Sequence, residues 1–338
     1  MKRFLLLSLA FTLCLTTITR GEIKYDPSFL VGLGIEGVPN VSPEYMPEVK
    51  VAIIDSGICT DAFTAYFSED RIDEASINIL DGSKNIEDTD DGHGTAVTSV
   101  IAGGTPDNVK LMIIKATDDY RYDHGMIEKS IEYALDNGAD IINVSASGVR
   151  DKEQSQYTQQ IFERADKMGV PIICAMGNRA VDYSVDSDVC LFPAGLHYGN
   201  VIGVSSLDEI GVLSSYSSYG YGTDFSAVGT DVSIIAFTDY RDETSTTRCI
   251  GKGRSSGTSM ATPVITCAYC YAMMVYLGLG GEQDYEKRDM IITNALRLSC
   301  NTDESNTERY GSGTPNISKF INILERINNV KKRAKGRK

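Results

Sequence analysis

The sequence predicts an α/β protein, a doubly wound, mostly parallel sheet flanked by helices and built as a single domain. Three observations predict it. Short apolar runs alternate with amphipathic helical segments along most of the chain. The first run, Val49 to Ile54 (VKVAII), is almost continuously apolar, as a strand buried on both faces of a parallel sheet must be. Between residues 45 and 327 there is no internal repeat, low-complexity segment or linker, so one domain is the simplest organisation.

The elements follow in order. After the strand at Val49, the segment Gly94 to Ala102 carries Ala96, Val97, Val100 and Ile101 on one side of a helix. Val109 to Lys115 is the next strand. Met126 to Asn137 is an amphipathic helix stopped by Gly138, and the strand DIINVS follows at once. A helix over about Glu153 to Met168 ends at Gly169, and Pro171 to Met176 is another apolar strand. Residues 184 to 256 are rich in Gly and Ser, with short strands such as NVIGV and DVSIIAF. Helices resume at Thr258 to Leu277, about Asp284 to Leu298, and Ile317 to Ile327.

The ends of the chain read differently. Lys2 and Arg3 precede an apolar stretch from Phe4 to about Ile18, the layout of a secretory signal, with cleavage expected after Gly21. Residues 1–21 are thus assigned as signal peptide, 22–48 as an N-terminal segment, 49–327 as the single α/β domain and 328–338 as a basic disordered tail. No other segment is expected to be long and apolar enough to span a membrane, and the protein is expected to be secreted and monomeric. The composition, 42% hydrophobic and 23% charged, is globular. The net charge of −14, despite the closing KKRAKGRK, argues against nucleic acid as a partner. Of eight cysteines, Cys14 falls in the signal, leaving an odd number and at least one free thiol. Cys190 and Cys249 are one candidate disulfide, with connectivity left open. The C-x-x-C of Cys267 and Cys270 lies within a helix and reads as core. Asn40, Asn143 and Asn316 head N-x-S sequons, of which Asn143 sits in a buried strand and is discounted.

Only three histidines are present, which narrows the search for a general base. His93 lies in DDGHGT, between two glycines where a loop turns into a helix. Asp55 ends the first strand as VAIIDSG, at the carboxyl end where open α/β sheets build their sites. Ser259 lies in GTSMATP ahead of a long apolar helix, whose N-terminus supplies free N–H groups and a positive dipole end. Pro263 is read as falling in the first turn, where its missing N–H costs little. Asn178 ends a fourth strand as ICAMGN and can donate to a developing oxyanion. Each residue alone is more often a turn, a loop or a cap. The conjunction, in the chain order Asp, His, Ser with the Asn between, points to a hydrolase.

The segments VAIIDSGI, DGHGTAVTSVIAGG, NGADIINVSAS, ICAMGN, FPAGLHYGNVIGVSS, LSSYSSYG and GTSMATP resemble successive blocks of the subtilisin family, over about residues 49–275. The resemblance implies a serine endopeptidase acting on proteins or peptides through an acyl-enzyme. Ser259 would be the nucleophile, His93 the general base and acid, and Asp55 the residue orienting the imidazole. Asn178 and the Ser259 N–H would form the oxyanion hole. Ser145, Ala146, Ser147 and Gly148 would pair with the peptide backbone, and Ala175, Met176 and Gly177 would line the specificity pocket. For Leu191 two readings stay open, the floor of that pocket or a side chain pointing into the core.

Two departures from the family pattern stand out. Too few residues separate Gly21 from Val49 for the usual prodomain. The connection GGTPDN after the His93 helix is shorter than the calcium-holding insertion of many relatives. No cofactor is required on this reading and no metal ligand is assigned; calcium at an unidentified site stays open, with the acidic run Glu87 to Asp91 as a solvated loop. His124 and His197 are expected in loops. The rival function is a catalytically silent binding protein on the same fold, which loss of a triad residue would favour. A dinucleotide-binding oxidoreductase would need G-x-G-x-x-G where DSGICT stands.

Overall fold

The computed structural model describes residues 25, 27–35, 46–88, 92–119, 121–151, 153–184, 189–241, 246–281, 284–300 and 307–335. The signal segment, Glu22, Asn40, Thr89 to Asp91 and the last three residues lie outside them. The strands are β1 (Val49–Asp55), β2 (Ile77–Asn78), β3 (Val109–Lys115), β4 (Ile141–Val144), β5 (Gly148–Asp151), β6 (Ile172–Ala175), β7 (Val189–Phe192), β8 (Val201–Leu207), β9 (Thr223–Val228), β10 (Val232–Arg241) and β11 (Thr246–Ser255). The helices are α1 (Thr60–Thr64), α2 (His93–Gly104), α3 (His124–Asp136), α4 (Gln156–Lys167), α5 (Thr258–Gly278), α6 (Tyr285–Ser299), α7 (Thr307–Tyr310) and α8 (Ile317–Lys335).

Seven strands form one sheet in the order β2-β3-β1-β4-β6-β8-β9, every neighbouring pair parallel. The alternation of side chains along each strand divides the core in two. Val49, Val51 and Ile53 of β1, with Val109, Leu111 and Ile113 of β3, face the cluster built around α2 and α5. Ala52 and Ile54, with Met112 and Ile114, face the cluster built around α3 and α4. Both faces are covered, which is why the central strands β1, β3, β4 and β6 are mostly apolar. Because the strands run parallel, β1, β4 and β6 all end on one edge. The residues that follow them, Ser56, Ser145 and Met176, therefore emerge side by side.

Helix α5 is long and apolar enough by composition to cross a membrane, contrary to the expectation that no segment beyond the signal is. Most of its side chains are buried against β4, β6, β8 and β9, which accounts for the apolar sequence without a bilayer. Its Cys267 and Cys270 are fully buried, and burial raises both thiols. A short 3-10 turn, Ser28–Leu33, lays Phe29 and Leu33 into the same cluster, and the Tyr25 hydroxyl donates to the Ser233 carbonyl. Arg71 is 1% exposed, and desolvation lowers its pKa. It donates to the carbonyls of Val109 and Ala102 and to the Thr105 hydroxyl, tying α2 to β3.

Two two-stranded antiparallel pairings, β5–β7 and β10–β11, sit outside the main sheet, and α4 and β6 lie between β5 and β7 in the chain. These pairings keep Cys190 and Cys249 on separate sheets: Cys190 stands opposite Arg150 and Cys249 opposite Thr238. The candidate Cys190–Cys249 disulfide is not formed, and the Cys190 thiol lies against the Asp151 carbonyl. Asn143 is fully buried, while Asn316 caps α8 by accepting from the Lys319 N–H.

Candidate active site

Asp55 is the last residue of β1 and is 1% exposed. His93 opens α2, and its Nδ1 lies 2.7 Å from Asp55 Oδ1. Gly94 makes this approach possible, since a Cβ there would collide with the Gly57 carbonyl. The first turn of α2 has N–H groups without helical partners. Ser56 Oγ accepts from Gly94 N–H at 2.9 Å, and Asp88 Oδ2 accepts from the N–H and hydroxyl of Thr95 at 2.7 and 2.5 Å. Ser56 Oγ in turn donates to Asp88 Oδ1 at 2.6 Å. Burial pushes the Asp88 carboxyl up, and these donors from Ser56 and Thr95 oppose the shift. The helix start that carries the imidazole is thus locked to the strand end that carries the carboxylate.

Asp55 Oδ1 also accepts from Ser56 N–H at 2.8 Å and from the Tyr122 hydroxyl at 2.9 Å. Lys115, in register with Asp55, donates from Nζ to the Ser56 and Glu87 carbonyls and pairs with Asp118 at 2.7 Å. Sequence reasoning missed Tyr122, Lys115 and Asp88. The only available signal was Lys115, the polar residue that closes the apolar run Leu111 to Ile114.

Ser259 is the second residue of α5 and is 9% exposed. Asn178 Oδ1 accepts from the N–H and hydroxyl of Thr258 at 2.8 and 3.0 Å, capping α5. That leaves its Nδ2 free to point elsewhere, and it points to the same small space as the serine. A Cβ placed on Gly257 would lie 2.9 Å from Ser259 Oγ and 3.0 Å from Asn178 Nδ2. A hydroxyl, an amide donor and a carboxylate-bound imidazole on one sheet edge can carry out acyl transfer.

Pro263 is the sixth residue of α5, past the first turn, and so deprives the Ser259 carbonyl of its helical donor. The Ser145 hydroxyl donates to that carbonyl instead, at 3.0 Å. Ser145 is itself held by Asn143 Nδ2, and Asn143 Oδ1 accepts from Thr266. This buried chain joins β4 to α5 and accounts for a polar side chain inside a central strand.

The expected peptide-binding residues come together in part. Ser145 and Ala146 are buried, while Ser147 is exposed and faces Gly177: a Cβ on Gly177 would lie 2.8 Å from Ser147 Oγ. Ala175 and Met176 are buried, and Gly177 N–H donates to Thr258 Oγ1 at 3.0 Å. Gly148 begins β5, opposite Phe192. The His124 ring lies against Gly148 and 4.7 Å from the Phe192 ring, and burial lowers the His124 pKa. His124 thus opens α3 rather than lying in a loop; His197 is exposed. Leu191, 3% exposed opposite Val149, packs into the α3–α4 core cluster. In the acidic run, Asp88 is committed to Ser56 and Thr95, and Glu87 to Thr60 N–H and Arg248. Its described residues therefore do not fit a calcium cage.

A sequence model described as the subtilase family matches residues 47–313. Subtilisin DY of Bacillus licheniformis is 27% identical over 283 residues, covering 80% of this chain and 89% of its own. The minor extracellular protease Epr of Bacillus subtilis is 27% identical over 224 residues, covering 64% of this chain but only 30% of its own. Among solved structures, the epidermin leader peptide processing serine protease of Staphylococcus aureus superposes with a TM-score of 0.67 at 21% identity, covering 92% of this chain and 84% of that one.

Proposed function

This chain belongs to the subtilase family of serine-type endopeptidases, and on that premise we propose that it hydrolyses peptide bonds with Asp55, His93 and Ser259 as its triad. The observation that carries the proposal is the convergence of His93 Nδ1 on Asp55 and of Asn178 Nδ2 on the space beside Ser259 Oγ. In this mechanism Ser259 Oγ attacks the scissile carbonyl while His93 Nε2 takes its proton. Asp55 holds the Nδ1 proton, which fixes the tautomer and stabilises the imidazolium. The oxyanion is received by Asn178 Nδ2 and the Ser259 N–H, the latter one of the free donors of the first turn of α5. His93 then returns its proton to the leaving amine, and the acyl-enzyme is hydrolysed by the reverse sequence. Residues 145–148 add the substrate as an extended strand, and residues 175–177 border the pocket for the side chain before the scissile bond.

A fluorophosphonate tests the nucleophile directly. The expected result is a single adduct on the peptide containing Ser259, abolished by prior acid unfolding. An adduct elsewhere, or none, overturns the assignment.

We also propose that residues 1–21 direct export, given the basic-then-apolar leader and the extracellular relative. The mature chain begins before Tyr25, whose hydroxyl is bonded to the domain. N-terminal sequencing of the secreted protein should find a start near Glu22; a start beyond Leu33 contradicts it.

A further inference from the structure

We infer that Tyr122 is a positioning residue that sets the basicity of His93 through the carboxylate they share, an inference that rests on the proposed triad. Tyr122 lies between β3 and α3, immediately before Asp123, which caps α3 by accepting from Met126 N–H. Its hydroxyl reaches across to β1 and donates to Asp55 Oδ1 at 2.9 Å. The same oxygen receives His93 Nδ1 at 2.7 Å and Ser56 N–H at 2.8 Å, with Ser56 Oγ more distant at 3.3 Å. Oδ2 is buried and has no partner among the described residues. The donors therefore crowd onto one oxygen, and the phenol is the one that comes from neither the β1 turn nor α2.

The physical consequence has a sign. A donor to a buried carboxylate stabilises and spreads its negative charge. A carboxylate so satisfied attracts an imidazolium less strongly, so the phenol makes His93 harder to protonate. It also adds a tether to Oδ1 from outside the β1 turn and α2, which helps hold the carboxylate that orients the imidazole. No proton leaves the phenol or Nδ1 in this role.

Other charged groups near the pair stay in place when the phenol is altered. Asp88 is bridged to Asp55 by Ser56 and also feels its charge, and Lys115 is held by the Ser56 and Glu87 carbonyls and Asp118. Glu87 pairs with Arg248, and the His124 ring lies against Gly148. Removing one oxygen from Tyr122 touches none of these bonds.

The test is the pH profile of kcat/KM on a fluorogenic peptide, with the full chain. Tyr122→Phe should move the acid limb up by several tenths of a pH unit. It should also lower kcat on the plateau roughly three- to tenfold with KM little changed, the range of one typical net hydrogen-bond contribution. Replacing Tyr122 by 3-fluorotyrosine, a stronger donor of nearly the same shape, should move the limb the other way; it carries the test if the phenylalanine variant does not fold. An unmoved acid limb overturns the inference, even if activity falls equally at every pH, because a merely structural role would do that. Ser259→Ala separates the two levels. If it is inactive while Tyr122→Phe leaves the limb in place, only this inference fails; if it retains full activity, the triad itself is wrong.

Discussion

Ser259→Ala is expected to lower kcat for peptide hydrolysis by about 10⁶, leaving activity near background. A loss that large follows because the nucleophile, the base and its orienting carboxylate act as one unit. Without Oγ the imidazole has no proton to take and no acyl-enzyme can form. The substitution should leave the fold unchanged. Oγ is a single atom of a 9% exposed residue, and the structural bond at this position, from Ser145 to the Ser259 carbonyl, uses the backbone. Steady-state kinetics with a fluorogenic peptide, paired with thermal unfolding, gives the answer. Activity within about tenfold of wild type in a variant that melts normally would remove Ser259 from the mechanism, because a loss that small is far below what a nucleophile supplies.

Asn178→Ala is expected to lower kcat by about 10²–10³ while KM changes little, the cost of losing one donor to a charge that develops only in the transition state. The interpretation has a complication that the geometry resolves. Asn178 Oδ1 also caps α5 through Thr258. Truncation should therefore lower stability by about 1 kcal/mol as well. Asn178→Asp keeps the capping oxygen and replaces the donor with a negative charge. It should melt near wild type and be less active than the alanine variant, since a carboxylate repels the oxyanion. If both variants raise KM with kcat intact, Asn178 binds the ground state and is not part of the oxyanion hole.

The sequence by itself determined the parts of this protein whose signals are local. Strand β3 was read at its observed bounds, and β1 within one residue, because burial on both faces leaves an apolar run with sharp polar ends. Helix α5 was read to within a residue for a similar reason. Asp55, His93, Asn178 and Ser259 were legible because each sits at the end of a buried element, beside glycines that close approach demands. The β5–β7 pairing was not. Strands β5 and β7 are four residues each, and nothing in either run announces its partner.

What only the tertiary structure decided are contacts between residues far apart in the chain. Tyr122 meets Asp55 across 67 positions and Ser145 meets the Ser259 carbonyl across 114. Neither residue differs, in its own neighbourhood, from an ordinary loop tyrosine or serine. The packing of Leu191 and the separation of Cys190 from Cys249 depend likewise on which face a strand turns inward and which sheet it joins. Periodicity records that a face is buried, but the identity of the atoms on the other side is set by the register of strands and the crossing of helices. Those are properties of the assembled sheet, and they decide how the carboxylate of Asp55 is held.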